Sequence, residues 1–208
     1  MGLDAPKAEV KIGDWVSRGF ELYKSNIGTM IAAGAIAMVL SAVTMGILGG
    51  PMMAGLIMIV LATLRKQEPK PGAGDVFKGF EVFANAFLFV LVFFLVGLVL
   101  NVIPLLGQLL YVVYSLGVGT LVMFGLFLIA DRRMAFWPAA MASIEKVKPN
   151  FWPFLGLYVV SCIIGSLGMI LCGIGVLITI PIHFCIMSVA YSEVFAPGAE
   201  TASCVPGT

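Results

Sequence analysis

The chain has 208 residues, of which 61% are hydrophobic and 11% are charged, and its formal net charge is +1. Soluble domains carry about 25% charged residues, so this composition excludes an ordinary water-soluble domain. Together with a mean hydropathy of +1.08 it indicates an integral membrane protein. The sparse and nearly balanced charge gives no basis for a nucleic-acid partner, and we expect none.

Six apolar stretches follow one another along the chain. They cover residues 27–48, 51–64, 86–103, 105–130, 151–172 and 174–195. A transmembrane helix needs about 20 apolar residues, so the second stretch is short and the others are long enough. Glycine and proline break the chain within each pair of stretches, at Gly49-Gly50-Pro51, between Pro104 and Gly107, and between Cys172 and Gly175. We predict three helical hairpins that span the bilayer; hairpins that dip only part-way across it are the alternative.

The basic residues fall into three groups, and each group precedes one hairpin. The groups are Lys7, Lys11, Arg18 and Lys24; Arg65, Lys66, Lys70 and Lys78; and Arg132, Arg133, Lys146 and Lys148. Basic residues in short loops stay on the cytoplasmic side, so we expect both termini and both long connectors to be cytoplasmic. All the hairpins then have one orientation, which predicts parallel rather than inverted repeats.

A short motif recurs ahead of the hairpins. Arg18-Gly19-Phe20-Glu21 reappears as Lys78-Gly79-Phe80-Glu81, and a more divergent copy ends at Glu145. Apolar residues recur at helical spacing in each segment, which predicts an amphipathic helix lying in the membrane interface. The predicted apolar faces are Ile12, Trp15, Val16, Gly19, Phe20 and Tyr23; Val76, Phe77, Phe80, Phe83 and Phe87; and Phe136, Trp137, Ala140, Met141 and Ile144.

These amphipathic segments also carry the candidate contacts to anionic lipid headgroups, which are Arg18, Lys24, Lys78, Lys146 and Lys148. The alternative is that the segments are elbows that orient the hairpins. We predict local ion pairs between Arg18 and Glu21 and between Lys78 and Glu81, three residues apart on one helix face. Asp75 is predicted to be an N-cap.

The predicted fold is therefore an all-α polytopic membrane protein with six transmembrane helices. These form three parallel repeats, each an interfacial amphipathic helix followed by a helical hairpin. The repeats cover residues 12–66, 74–132 and 134–195. A cytoplasmic N-terminal segment, 1–11, precedes them, and a cytoplasmic tail that we expect to be flexible, 196–208, follows.

Ionisable residues are scarce inside the apolar stretches. Asp131 and Glu193 fall at cytoplasmic ends, whereas His183 lies well inside the sixth stretch, after Pro181. Ion-coupled transporters bury a carboxylate or a basic residue that binds the ion, and the apolar stretches lack such a residue. The candidate polar intramembrane residues are His183, Tyr111, Tyr114 and Ser115. They either serve packing or line a cavity.

The sequence contains no recognisable catalytic set, phosphate-binding loop or metal-binding cluster, so we expect no enzyme activity, no metal and no cofactor. Its cysteines do not form a Cys-x-x-Cys pair. Cys162, Cys172 and Cys185 lie in apolar stretches, where we expect them to behave as small hydrophobic residues, and Cys204 lies in the tail.

Several local patterns accompany the hairpins. They are Phe20-Glu21-Leu22-Tyr23-Lys24-Ser25-Asn26, Gly74-Asp75-x-Phe77-Lys78-Gly79-Phe80, Ile103-Pro104, Lys148-Pro149-Asn150-Phe151-Trp152, and the run from Pro181 to Tyr191-Ser192-Glu193. Over about residues 12–195 the chain resembles a broad group of bacterial multi-pass membrane proteins of unassigned function. Some of that group are described as similar to the membrane domain of glycerophosphodiester phosphodiesterases. The resemblance implies a bacterial inner membrane and brings no catalytic residue with it.

We therefore expect a non-catalytic integral membrane protein that is a scaffold, an accessory subunit or a self-assembling component. The expected partners are the lipid bilayer, with anionic lipids as a candidate, and other membrane proteins or further copies of the chain in a homo-oligomer. The alternative is a passive channel, a transporter or a lipid-handling protein with a polar lining in the fourth and sixth apolar helices. That alternative requires the candidate polar side chains to face one internal cavity.

Overall fold

The computed structural model describes residues 10–102, 106–170 and 175–195. Within these residues the protein is entirely helical, which confirms the all-α prediction. The α-helices are α1 (Ile12–Ser25), α2 (Ile27–Val43), α3 (Gly49–Leu64), α4 (Phe83–Asn101), α5 (Leu106–Val122), α6 (Gly125–Arg132), α7 (Phe136–Val147), α8 (Phe151–Ile170) and α9 (Val176–Val194). Ala73–Val82 and Lys148–Asn150 are 3₁₀ helices. Most of the predicted 1–11 segment, the 196–208 tail with Cys204, Ile103-Pro104 and Cys172 lie outside the described residues.

The described helices fit a multi-pass membrane protein. Ala73–Asn101, Leu106–Arg132, Phe136–Ser166 and Val176–Val194 are each long and apolar enough to cross a membrane. A fifth span results if α1 and α2, which meet at 91°, form one broken span. Helix α3 is apolar but has only 16 residues, which agrees with the short second apolar stretch.

The core is built from α3, α6 and the second half of α9, and α1 packs against it. Phe124 lies at the break between α5 and α6. The centroid of its ring is 5.8 Å from that of Phe154 and 5.7 Å from that of Phe195, in edge-to-face geometry. The outer part of the α4–α5 hairpin is different, because apolar side chains such as Phe94 and Val99 are exposed there. Such a surface requires an apolar surrounding, which a bilayer provides.

Helix α1 lies along α9. It buries Trp15, Gly19 and Tyr23, four residues apart, and the Trp15 indole N–H donates to Glu193 Oε2 at 2.6 Å. Arg18 binds the other oxygen of Glu193 and lies 3.4 Å from Asp14. The predicted local pair between Arg18 and Glu21 is therefore wrong, since Arg18 reaches the end of the last helix instead. The buried part of the predicted face contacts protein rather than lipid.

The second amphipathic segment is a 3₁₀ helix rather than the predicted α-helix. Residues three apart share a face in a 3₁₀ helix. The face buried against the protein is accordingly Val76, Gly79 and Val82, whereas Phe77 and Phe80 of the predicted apolar face are exposed, as side chains that face lipid would be. Phe77, Phe80, Phe83 and Phe87 instead stack in a row, with successive ring centroids 6.3, 6.0 and 5.8 Å apart. Gly79 permits close packing on α3, because a methyl group there would overlap the Pro51 carbonyl.

Two further predictions about this segment are corrected. Asp75 lies at position N3, where its carboxylate accepts the Gly72 N–H at 2.8 Å, so it is not the N-cap residue. Lys78 pairs with Asp75 at 3.0 Å, whereas Glu81 pairs with Arg133, beyond the end of α6. Of the charged residues in the recurring motif, Arg18 and Glu81 thus connect separate parts of the chain, whereas Lys78 pairs locally.

The third amphipathic segment, α7, buries Ala139, Ser143 and Val147, while Trp137 and Met141 are exposed. The face buried against the protein thus differs from the predicted apolar face, because Ser143 has a specific buried role. Its hydroxyl donates to the Leu121 carbonyl at 2.8 Å and accepts the Phe124 N–H at 3.2 Å. Ser143 thereby satisfies backbone groups that the break between α5 and α6 leaves without helical partners.

Candidate functional site

A cavity of about 460 Å³ lies between α4, α5, α8 and α9, with α6 closing one side. It is open rather than enclosed, and its volume falls in the range of about 300–1,000 Å³ typical of small-molecule sites. The lining residues are Met53, Phe89, Val90, Phe93, Gly119, Val122, Met123, Leu126, Phe127, Tyr158, Cys162, Gly165, Ile180, His183, Phe184 and Met187. None of these lining residues carries a carboxylate, an ammonium or a guanidinium group.

The polar part of the lining comes from Tyr158 and Cys162 on α8 and from His183 on α9. Tyr158 and Cys162 are one helical turn apart and are hydrogen-bonded to each other through their side chains. The Tyr158 hydroxyl lies against Gly119 of α5, where a larger residue would displace it. One wall of the cavity therefore carries polar atoms, and the remainder is hydrocarbon, aromatic rings and thioethers.

Two side-chain hydrogen bonds hold this wall in place by connecting α9 to backbone carbonyls of α8. The Thr179 hydroxyl donates to the Gly165 carbonyl at 2.8 Å. His183 Nδ1 lies 3.0 Å from the Ser161 carbonyl oxygen. Hydrogen bonds between membrane helices contribute about 0.6 kcal/mol each on average, so this pair fixes geometry more than it adds stability.

The contact with Ser161 determines which ring nitrogen of His183 carries hydrogen. A carbonyl oxygen can only accept, so Nδ1 must be the donor. In a neutral imidazole the second nitrogen, Nε2, is then an acceptor. The cavity lining offers no carboxylate to partner a charged ring, and burying an unpaired charge is strongly unfavourable. His183 therefore presents an acceptor atom rather than a second donor.

The structure separates the polar residues that were predicted to act together. His183 lines the cavity, whereas Tyr111, Tyr114 and Ser115 lie outside its lining. Tyr111 is exposed and lies against Gly97, and the Tyr114 ring is 6.0 Å from that of Phe93. The Ser115 hydroxyl bonds to the carbonyl of residue 112 in its own helix at 3.0 Å. These four residues therefore do not form the single polar lining that was expected in the fourth and sixth apolar helices.

The sequence interpretation did not identify Tyr158 and Cys162 as site residues. Their spacing of four residues was the available signal, because it places both side chains on one face of α8. Ser161 and Gly165, on the same helix, take part in the α8–α9 contact through their backbone carbonyls. Tyr158 and Cys162 instead bring polar side chains to the cavity.

The candidate headgroup contacts are spread over three elements. Arg18 and Lys24 belong to α1, Lys78 to the first 3₁₀ helix, and Lys146 and Lys148 to the region where α7 ends. Lys24, Lys78 and Lys148 are exposed, and Lys146 is half-buried. Arg18 and Lys78 already have acidic partners, which lowers the positive charge that they offer to a lipid.

A second, polar pocket of about 340 Å³ lies where α3 and α6 end, and Lys78 and Glu81 contribute to it. There the Arg65 guanidinium makes two bonds to the Asp131 carboxylate, at 2.5 and 2.8 Å, and these bonds raise the pKa of Arg65. The Tyr191 hydroxyl donates to the same carboxylate at 2.9 Å. Acidic and basic groups neutralise each other here, so the pocket serves to connect α3, α6 and α9 rather than to concentrate one sign of charge.

Within the described part of the chain, no group of three or more histidine, cysteine, aspartate or glutamate residues is arranged to hold a metal ion. No protein-family model matches the chain, and comparisons with curated proteins and with solved structures find no significant match. The function must therefore be argued from the cavity and from the architecture that surrounds it.

Proposed function

We propose that this protein is a non-catalytic, lipid-handling membrane protein that holds one apolar chain in the cavity between α4, α5, α8 and α9. The observation that carries the proposal is an open cavity of about 460 Å³ whose lining is uncharged and almost entirely apolar. Its four walls, α4, α5, α8 and α9, all belong to candidate membrane spans. An opening between such helices admits hydrocarbon from the bilayer, whereas an aqueous solute would have to leave water for an apolar lining.

The proposed architecture is that of six spans in three parallel repeats, with both termini on the cytoplasmic side of a bacterial inner membrane. Equivalent buried positions support the repeats. The buried residues are Trp15, Gly19 and Tyr23 in α1; Val76, Gly79 and Val82 in the 3₁₀ helix; and Ala139, Ser143 and Val147 in α7. The middle residue of each set stands two positions before Glu21, Glu81 or Glu145. The spacing is four in the α-helices and three in the 3₁₀ helix, as the two helix types require.

The repeated small residue has a common role in this scheme. Gly19 lies against the backbone of Ile186 in α9, and Gly79 lies against Pro51 in α3. Ser143 bonds to the backbone at the α5–α6 break. In each repeat a small side chain lets the amphipathic element approach another helix closely, which supports its interpretation as a packing elbow.

Photolabelling tests the lipid-handling proposal. The purified protein is placed in lipid nanodiscs with a long-chain alcohol that carries a diazirine on its chain, irradiated, and analysed by peptide mass spectrometry. We expect labelling to concentrate on cavity-lining peptides of α6, α8 and α9. Labelling spread evenly over every lipid-facing helix would contradict the proposal.

Two valines of α5 provide a matched pair for this test. Val122 lines the cavity and is 6% exposed, whereas Val113 is 63% exposed on the outer part of the hairpin. We expect Val122→Trp to fill the cavity and abolish its labelling, while Val113→Trp leaves that labelling unchanged. Equal effects of the two substitutions would argue against a specific site.

A second candidate function is that of a scaffold or self-assembling component, as the composition first suggested. Its specific support is the outer α4–α5 hairpin, which exposes Phe94, Val99, Leu109 and Val113 together. Such a hairpin can pack against another membrane protein or a second copy of this chain. Native mass spectrometry from lipid nanodiscs tests this function; a monomer that co-purifies with no protein would exclude it.

A further inference from the structure

We propose that the cavity selects a neutral amphiphile that ends in a hydroxyl group, and that His183 Nε2 accepts the hydrogen bond from this hydroxyl. The inference rests on the proposed lipid-handling function and specifies the chemical class of its ligand. Three features of the site lead to it: the absence of charge among the described lining residues, the fixed orientation of the His183 ring, and the apolar character of the rest of the lining.

The uncharged lining decides the class of headgroup. Phosphate and carboxylate headgroups carry charge at neutral pH, and an ion buried without a partner is strongly disfavoured. The lining provides no cationic side chain to receive an anion and no carboxylate to receive an amine. Among lipid headgroups, a neutral hydroxyl, as in a fatty alcohol or a diacylglycerol, satisfies this condition.

The orientation of His183 decides the polarity of the hydrogen bond. The atoms of His183 that face α8 are Cβ, Cγ and Nδ1, which approach the position of a Gly165 Cβ at 3.7, 3.9 and 4.0 Å. Nδ1 donates to Ser161 on this same side. Nε2 is the ring atom opposite the Cγ–Nδ1 bond, and His183 is among the residues that line the cavity. Nε2 is therefore the acceptor that the proposed ligand reaches.

The rest of the cavity lining determines what the remainder of the ligand must be. Aromatic rings from Phe89, Phe93, Phe127 and Phe184 line it together with methionine side chains. Thioethers and aromatic rings adapt to apolar chains of varied shape. Tyr158 and Cys162, the other polar residues of the lining, are already hydrogen-bonded to each other. A ligand with one hydroxyl donor and a hydrocarbon chain therefore matches the site, whereas a sugar or a polyol would leave hydroxyl groups unpaired.

Competition against the diazirine alcohol distinguishes this inference from the function on which it rests. The competitors are hexadecanol and hexadecyl methyl ether, each titrated over the same range of mole fractions in nanodiscs. They have similar chains, but the ether has no hydrogen to donate to Nε2. We expect hexadecanol to halve the labelling of α8 and α9 at about tenfold lower mole fraction than the ether, because the ether leaves the acceptor unsatisfied.

His183 variants provide the second readout. In His183→Leu we expect the two competitors to halve the labelling at about the same mole fraction. His183→Gln, which keeps an acceptor, should retain part of the preference for the alcohol. The competition between the alcohol and the ether on the wild-type protein requires no variant, so it still tests the inference if His183→Leu does not fold. If both competitors displace the label equally from a cavity that Val122→Trp closes, the hydroxyl inference is overturned and the lipid-handling function stands. If labelling never depends on Val122, the proposed function fails as well.

Discussion

Replacing Asp131 with alanine should destabilise the protein by about 3 kcal/mol. The Asp131 side chain is 15% exposed and accepts three hydrogen bonds, two from Arg65 at 2.5 and 2.8 Å and one from Tyr191 at 2.9 Å. Removing one partner of a buried ion pair costs about 3–5 kcal/mol. We take a cost at the low end of this range because the Arg65 side chain is 43% exposed, so water solvates its guanidinium when Asp131 is removed.

The assay is reversible unfolding in mixed micelles, with sodium dodecyl sulfate as the denaturant and helix content as the signal. Glu81→Ala is the matched control, because Glu81 also pairs with an arginine but the side chains of Arg133 and Glu81 are 70% and 47% exposed. We expect that control to change stability by about 0.5 kcal/mol. Tyr191→Phe, which removes one of the three bonds, should lose about 1.5 kcal/mol. Equal effects of Asp131→Ala and Glu81→Ala would refute the reasoning that burial and bond number decide the outcome.

Three other predictions concern packing and topology. Gly79→Ala should destabilise the protein by about 3 kcal/mol in the same titration, because the added methyl meets backbone of α3, while Gly117→Ala, with nothing within 4 Å, should have a neutral or slightly stabilising effect. Similar effects of the two substitutions would contradict the close α3 contact. Ser143→Ala should lower the free energy of unfolding by about 2 kcal/mol, because two buried backbone groups lose their partner, and Ser143→Thr should recover part of this loss. An unchanged stability would mean that water replaces the hydroxyl. A variant in which Cys204 is the only cysteine should react with a membrane-impermeant maleimide in inside-out vesicles, and reaction only in right-side-out vesicles would reverse the proposed topology.

The helix positions could be predicted because their signals are local. The apolar stretch 51–64 became α3, Gly49–Leu64, and the stretch 151–172 contains α8, Phe151–Ile170. Hydrophobic run length and glycine or proline breaks determine such boundaries without reference to the rest of the chain. The face of each amphipathic segment that is buried against the protein could not be predicted in the same way. The 3₁₀ conformation of Ala73–Val82 accompanies close packing on α3, and a spacing of three then replaces 3.6.

The cavity depends on still longer-range information. Its wall combines residues from α3, α4, α5, α6, α8 and α9, so no single segment contains its signature. Tyr158 and Cys162 have the same spacing as any helix-packing pair. They become part of a cavity wall only through the packing of α8 on α5, where the Tyr158 hydroxyl lies against Gly119. His183 could be identified because an imidazole is rare in an apolar stretch, but the role of each nitrogen depended on where the Ser161 carbonyl lies.

The contact between Trp15 and Glu193 has a consequence for the order of events during synthesis, because these residues are separated by 178 positions. At roughly 5–20 residues per second, α1 would wait about 9–36 s for its partner helix to be made. During that interval the apolar face of α1 has no protein to cover it, so the bilayer surface is the natural place for it to rest. Completion of α9 would then draw α1 from the lipid surface onto the protein. A chain truncated before α9 should leave Trp15 in a lipid environment, a difference that its fluorescence can report.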